Sequence, residues 1–256
     1  MTSDTSTDAL AETARRAIAC LDLTSLNDGD DDAAIETLCR RAVTPAGPVA
    51  AVCVWPRFVP LCRDRLEGSG VKVCTVVNFP HGRDNVEQVR DEILPAIADG
   101  ADEIDVVLPY TALLTGRVAE ARAVLDMARL MTGEATLKVI LETGRLLTPS
   151  AIREAAALAV DAGADFLKTS TGKVAISATL EAAHALLDVA AAAGRPVGVK
   201  VSGGVRTTEQ AAAYLRLADA INGRAEPSNF RFGASGLLDA LLATLDGRPA
   251  TVSAGY

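Results

Sequence analysis

The chain has 256 residues, is 49% hydrophobic and only 4% aromatic, and carries a net charge of −8 at pH 7. That length suits one large α/β domain, residues 1–256, with a core of mostly Ala, Val, Leu and Ile. The acidic balance and the lack of any basic block argue against a nucleic-acid partner, and no apolar run reaches membrane-spanning length.

Met1 to Asp8 is polar and acidic, without the basic start and apolar stretch of a signal peptide. Residues 1–8 are expected to be flexible. The five cysteines (Cys20, Cys39, Cys53, Cys62 and Cys74) are odd in number and form no CxxC pair, which predicts reduced thiols and a cytoplasmic protein. Residues 7 to 43 read as helices preceding the first strand. From Val49 onward short apolar runs alternate with helical patterns. The runs are Val49 to Trp55, Val71 to Phe79, Ile104 to Leu108, Leu137 to Leu141, Phe166 to Lys168, Val197 to Val201 and Phe230 to Gly233. Their near-continuous apolar character is that of strands covered on both faces. Between them, helical spacing marks Val86 to Ala98, Arg117 to Met131, a segment opened by Thr148-Pro149, Thr179 to Ala193 and Thr207 to Ala220. Thr148 is an expected N-cap with Pro149 at the first helical position. Glycines 100, 133, 163, 194 and 223 follow the helical segments and can take the left-handed cap conformation. The alternation implies a parallel sheet. Seven strands are visible. An eighth, short and near Ala218 to Ile221, would close a (β/α)₈ TIM barrel with extra N-terminal helices; without it the sheet would stay open.

Charged residues stand inside these apolar strands. They are Asp105, Lys138, Lys168 and Lys200, one on each of four successive strands. Their neighbours in sequence are apolar and should face the helices, so the charges should face the barrel interior, near the C-terminal strand ends where barrel sites form. An unpaired buried charge costs several kcal/mol, and three lysines with one aspartate do not pair off. Two readings follow: a structural ion-pair network, or a functional polar site. Lys168 and Lys200 on adjacent strands disfavour each other's charge, so that one can be neutral near pH 7, as a Schiff-base nucleophile requires. Asp105, or a water it holds, is then placed to move protons.

Glycine-rich loops follow the late strands: Thr171, Gly172 and Lys173 after one; Gly203, Gly204 and Arg206 after the next; Ser235 and Gly236 before the last helix. Such loops expose backbone N–H groups, and a helix N-terminus adds its dipole, so together they predict a phosphate site. Each loop alone reads more often as an ordinary turn. His81 reads as a turn residue, His184 as a helix-surface residue, and Cys53 and Cys74 as packing. Two histidines without ligand spacing predict no metal, and nothing predicts a cofactor.

The longer motifs are Val77-Asn78-Phe79-Pro80-His81-Gly82, Gly100 to Val107, Ala162-Gly163-Ala164-Asp165-Phe166-Leu167-Lys168-Thr169-Ser170-Thr171-Gly172, Gly198-Val199-Lys200 with Ser202-Gly203-Gly204-Val205-Arg206, and Arg231-Phe232-Gly233-Ala234-Ser235. Together they resemble the deoxyribose-phosphate aldolase family. The match runs from Leu21-Asp22-Leu23-Thr24 to Tyr256. The resemblance implies a class I aldolase that reversibly cleaves 2-deoxy-D-ribose 5-phosphate to acetaldehyde and D-glyceraldehyde 3-phosphate without metal. It implies that Lys168 forms the imine, Lys200 tunes it and Asp105 takes part in proton transfer. It places Asp22, Thr24 and Lys138 near the substrate, and Gly172, Gly204 and Ser235 at the phosphate. Tyr256 would close a mobile tail, residues 247–256, whose phenol assists proton transfer. A homodimer is expected by analogy. Val201-Ser202 replaces the family's usual Pro-Ala or Ala-Ser, and Gly236 replaces a frequent second Ser. The competing readings are a Schiff-base barrel aldolase acting on a keto-sugar phosphate and a non-catalytic phosphate-binding barrel.

Overall fold

Short β-branched runs and longer amphipathic segments alternate along the chain, and each run becomes a strand covered by the helix that follows. The computed structural model describes residues 2–248, with side chains from residue 8 onward. The strands are β1 (Leu21–Thr24), a two-residue antiparallel ribbon β2 (Val43–Thr44) and β3 (Gly47–Pro48), then β4 (Ala51–Val54), β5 (Lys72–Val77), β6 (Glu103–Val107), β7 (Thr136–Ile140), β8 (Phe166–Lys168), β9 (Gly198–Ser202) and β10 (Phe230–Ala234). All but the ribbon form a closed parallel barrel in the order β1-β10-β9-β8-β7-β6-β5-β4, with β4 paired back to β1.

The helices are α1 (Thr2–Ala19), α2 (Asp32–Ala42), α3 (Val59–Leu66), α4 (Val86–Ala98), the short α5 (Tyr110–Leu114), α6 (Val118–Thr132), the one-turn α7 (Thr143–Leu146), α8 (Pro149–Asp161), α9 (Leu180–Ala192), α10 (Thr208–Asn222) and α11 (Leu237–Leu245). α1 begins at Thr2, inside the stretch expected to be flexible. Thr148 caps α8 by accepting from the Ala151 N–H, with Pro149 behind it. Thr207 and Gln210 form a capping box on α10. The glycines that follow the helical segments, 100, 133, 163, 194 and 223, all have positive φ. No helix among the described residues is long and apolar enough to cross a membrane.

Two expectations are corrected. Ala218 to Ile221 is the last part of α10, not a strand, because the buried face set by Ala211, Leu215 and Ala218 continues at helical spacing. The eighth strand is β1, inside the region read as purely helical. Its four residues include Asp22 and Thr24, which turn inward, so no apolar run advertises it.

The core has two shells. Strand residues such as Leu21, Val52, Ile104, Val139, Leu167 and Val199 pack outward against Ile35, Ile93, Val124 and Leu186 of the helices. Each fully buried side chain of this size contributes about 1.5–3 kcal/mol. The alternate residues face inward, where Ala51, Cys53, Cys74 and Val76 make a small apolar patch. Charged groups also occupy this interior.

Candidate active site

Every inward charge expected from the strands is buried. Asp105, Lys138 and Lys200 are 0% exposed and Lys168 is 1% exposed. Ile104, Val106, Leu137, Val139, Leu167, Val199 and Val201 lie in the outer shell, as alternation requires.

The charges form one cluster. Asp105 Oδ2 accepts from Lys168 Nζ at 2.7 Å and Lys200 Nζ at 2.8 Å, and its Oδ1 accepts from Lys138 Nζ at 2.8 Å. Asp22 Oδ2 lies 2.6 Å from Lys200 Nζ and 3.6 Å from Lys138 Nζ. Glu103 lies 2.6 Å from Lys138 Nζ. Arg231 bridges Asp22 at 2.6 Å and Glu103 at 3.0 Å. The three lysines and Asp105 are therefore not alone: Asp22 and Glu103 supply further carboxylate partners, and Arg231 adds a fourth cation. The charges form an ion-pair network in the barrel interior.

Four cations (Lys138, Lys168, Lys200 and Arg231) face three carboxylates (Asp22, Glu103 and Asp105). One cation is in excess of the carboxylates. Burial alone would raise the Asp105 carboxyl, but Lys138, Lys168 and Lys200 hold it well below the ordinary carboxylate range. Asp22 is lowered in the same way, against burial, by Lys200, Arg231 and Lys138. Burial disfavours the charge of Lys200, yet Asp105 and Asp22 hold it well above the usual lysine value. Lys138 is raised against burial chiefly by Asp105, with help from Cys74 and Glu103.

Cys74 is more than packing. Its Sγ donates to Asp105 Oδ1 at 3.1 Å and accepts from Lys138 Nζ at 3.2 Å. Cys53, Cys74 and Asp105 bring potential metal-ligand atoms within 4.8 Å of one another, as do Asp22, Cys74 and Glu103. In both sets the Lys138 ammonium already stands among the ligand atoms, so a positive ion would meet a positive charge.

Loops rise above this layer. Gly172, Gly203 and Gly204 all have positive φ, a conformation that strains L side chains. A Cβ on Gly203 would lie 2.7 Å from Ser177 Oγ and 3.4 Å from the Gly172 Cα, so the two loops touch. Gly203 N–H also reaches the Gly233 carbonyl at 3.4 Å, linking the third loop. A Cβ on Gly204 would enter open space. Ser235 and Gly236 stand at the start of α11, with Gly236 as its N-cap. Lys173 reaches the Leu26 carbonyl at 2.8 Å, in the segment after β1. Thr24 ends β1 beside the strand that carries Gly233 and Ala234. Arg206 is exposed, and its side chain makes no ion pair among the described residues. Tyr256, with the tail from residue 249, lies outside the described residues.

Four groups were missed in sequence. Glu103 and Arg231 are charges in apolar strands, the same signal that marked the lysines. Ser202 stands two residues beyond Lys200 on the same face, and a Cβ on Gly233 would fall 2.0 Å from its Oγ. That hydroxyl is buried and has no partner among the described residues. Glu142, 0% exposed, accepts from Thr171 and has no signal in sequence beyond being a charge after an apolar run. His184 lies on the α9 surface, 3.6 Å from Asp188, as expected. The five cysteines are free.

Residues 16–243 match the family described as DeoC/LacD family aldolase. Among solved structures, the chain is similar to a Toxoplasma gondii ME49 protein provisionally named deoxyribose-phosphate aldolase. The identity is 28%, over 94% of this chain and 99% of that one, with a TM-score of 0.85. A protein from Coccidioides immitis with the same provisional name shows 29% identity, over 94% and 97% of the two chains, with a TM-score of 0.81. A tetrameric deoxyribose phosphate aldolase from Aeropyrum pernix shares the fold at 24% identity, over 91% and 96% of the chains, with a TM-score of 0.72.

Proposed function

The chain belongs to the DeoC/LacD aldolase family, and from that premise we propose that it reversibly cleaves 2-deoxy-D-ribose 5-phosphate through a Schiff base on Lys168. The products are acetaldehyde and D-glyceraldehyde 3-phosphate. One observation carries the choice of nucleophile. Lys138 has three carboxylates within 4.0 Å and Lys200 has two, whereas Lys168 has one, Asp105, among the described residues. Of the three lysines, Lys168 is the amine least engaged by carboxylates, which suits a nucleophile that must meet a substrate carbonyl.

In this reading the Lys168 amine attacks C1 of the open-chain sugar and forms a carbinolamine. Loss of water leaves a protonated imine. A base removes the proton of the C3 hydroxyl, the C2–C3 bond breaks, and its electron pair moves into the imine to give an enamine. Glyceraldehyde 3-phosphate departs. Protonation at C2 and hydrolysis then release acetaldehyde and restore the amine. Asp105 is a weak base while three ammonium groups surround it. The neutral amine and carbinolamine states of Lys168 remove one of those charges, so the carboxylate holds a proton better at those stages. Lys200, kept charged by Asp22, donates to Asp105 and stays close to Lys168. Gly172 and Gly204, with Ser235 and Gly236 at the start of α11, offer backbone N–H groups to the phosphate, while Gly203, whose N–H reaches the Gly233 carbonyl, holds the loop between them. Lys173 and Arg206 add positive charge at the rim. Asp22, Thr24 and Lys138 line the barrel side of the substrate.

Borohydride reduction in the presence of acetaldehyde tests this reading. Mass spectrometry is expected to find one ethylated lysine, Lys168, and none in Lys168→Ala. Label on Lys138 or Lys200, or no reducible adduct, would overturn it.

A further inference from the structure

Glu142 lies outside the ion-pair cluster and outside the residues assigned above. It follows β7, is 0% exposed, and has φ 55° and ψ 56°. A non-glycine residue in this left-handed region is strained by about 1 kcal/mol or more and persists only where its surroundings demand it. The demand here is a set of hydrogen bonds. The Glu142 carboxylate accepts from Thr171 Oγ1 at 2.5 Å and from the Thr171 N–H at 3.3 and 3.4 Å. Thr171 Oγ1 accepts in turn from the Lys173 N–H at 3.1 Å.

The segment carrying Glu142 runs beside the chain that leaves Lys168. Leu141 N–H donates to the Lys168 carbonyl and Thr143 N–H to the Thr169 carbonyl, both at 2.9 Å. A Cβ on Gly144 would fall 2.0 Å from the Ile176 carbonyl oxygen, so the elbow and the loop are packed without slack. The N–H groups of Thr171 and Lys173 are both taken. Between them stands Gly172, at φ 76°, whose N–H has no acceptor among the described residues.

We propose that Glu142 is a positioning residue for the phosphate subsite: by holding Thr171 from behind, its carboxylate turns the Gly172 N–H toward the substrate's phosphate. The inference rests on the aldolase reading above. Thr171 then acts on the phosphate through the loop, since its hydroxyl and N–H are directed at Glu142. A carboxylate suits the task because hydrogen bonds to a charged acceptor are about twice as strong as neutral ones. Burial raises the proton affinity of Glu142, and the two Thr171 donors work against this, so a stable anion depends on keeping Thr171 in place.

The test compares Glu142→Gln with Glu142→Ala, which guards against misfolding in either, using inorganic phosphate as a competitive inhibitor. Both variants are also assayed on phosphorylated and unphosphorylated deoxyribose. Glu142→Gln is expected to weaken phosphate inhibition and raise KM for the phosphorylated sugar about five- to tenfold, with kcat changed less than twofold. The KM effect on the unphosphorylated sugar should be at least fivefold smaller. Thr171→Val should add little to Glu142→Gln, because one removes the partner of the other. Unchanged or tighter phosphate binding in Glu142→Gln, equal losses on both sugars, or fully additive effects would overturn the role of Glu142 alone. Wild-type protein that forms the Lys168 adduct yet is not inhibited by phosphate would overturn both this role and the phosphate subsite.

Discussion

Lys168 and Lys200 donate to the same atom: Asp105 Oδ2 accepts one at 2.7 Å and the other at 2.8 Å. The shared oxygen brings two ammonium groups together and also screens them. Lys200 has a second carboxylate, Asp22, at 2.6 Å, and so keeps its proton. Sharing one oxygen, the two ammonium nitrogens stand no more than about 5.5 Å apart, and at an effective dielectric of about 20 they repel by roughly 3 kcal/mol. Asp105 offsets part of that.

Lys200→Leu removes this repulsion. Activity at pH 7 is expected to fall by about ten- to a hundredfold and to recover in part toward pH 9, with the acidic limb of the pH–rate profile moved upward. Lys200→Arg keeps the charge and should retain more activity. An acidic limb at the wild-type position in Lys200→Leu would leave Lys200 a direct role in catalysis or substrate binding instead.

Arg231 bridges Asp22 and Glu103 beneath the lysines. Arg231→Met leaves both carboxylates short of a partner in a buried site, and breaking such a pair costs about 3–5 kcal/mol. Urea denaturation should show this as a lower midpoint with an unchanged slope. A loss below about 1 kcal/mol would mean that the lysines alone satisfy both acids.

The acid side of stability follows from Asp22 and Asp105. Both have folded-state proton affinities depressed below the unfolded value, so their contribution is present above about pH 4 and is lost as pH falls. The contribution of these two groups should be flat between about pH 5 and 7 and decline by up to about 2.7 kcal/mol per pH unit below that. Glu142 has the opposite sign. Its raised folded value adds stability that is full below about pH 4.3 and is lost as pH rises through that value. Glu142→Gln should therefore unfold no more readily than wild type at pH 7. Chemical denaturation from pH 7 to 3 checks both statements; stability that rises on acidification from pH 4 to 3 would contradict the first.

Gly204 stands at φ 87° with open space where a side chain would point. Gly204→Ala adds backbone strain of about 1 kcal/mol and a methyl group facing the proposed phosphate subsite. KM should rise more for the phosphorylated than for the unphosphorylated sugar, read as the ratio of the two kcat/KM values. An unchanged ratio would assign Gly204 to folding of the loop alone.

The alternation of strands and helices was legible because it depends on neighbours within a few residues. Thr148 before Pro149 and the glycines after the helices act locally and were found where expected. The inward direction of Asp105, Lys138, Lys168 and Lys200 was legible for the same reason, since side chains on a strand alternate. Partnership was not. Lys200 meets Asp105 across 95 positions of the chain, and Arg231 meets Asp22 across 209. Only closure of the barrel brings those residues together, and the strand that closes it, Leu21–Thr24, is four residues long and half polar. The same holds for Glu142, whose partner Thr171 is 29 positions away on the next strand's loop. Periodicity determined which residues turn inward; the closed sheet decided which of them meet.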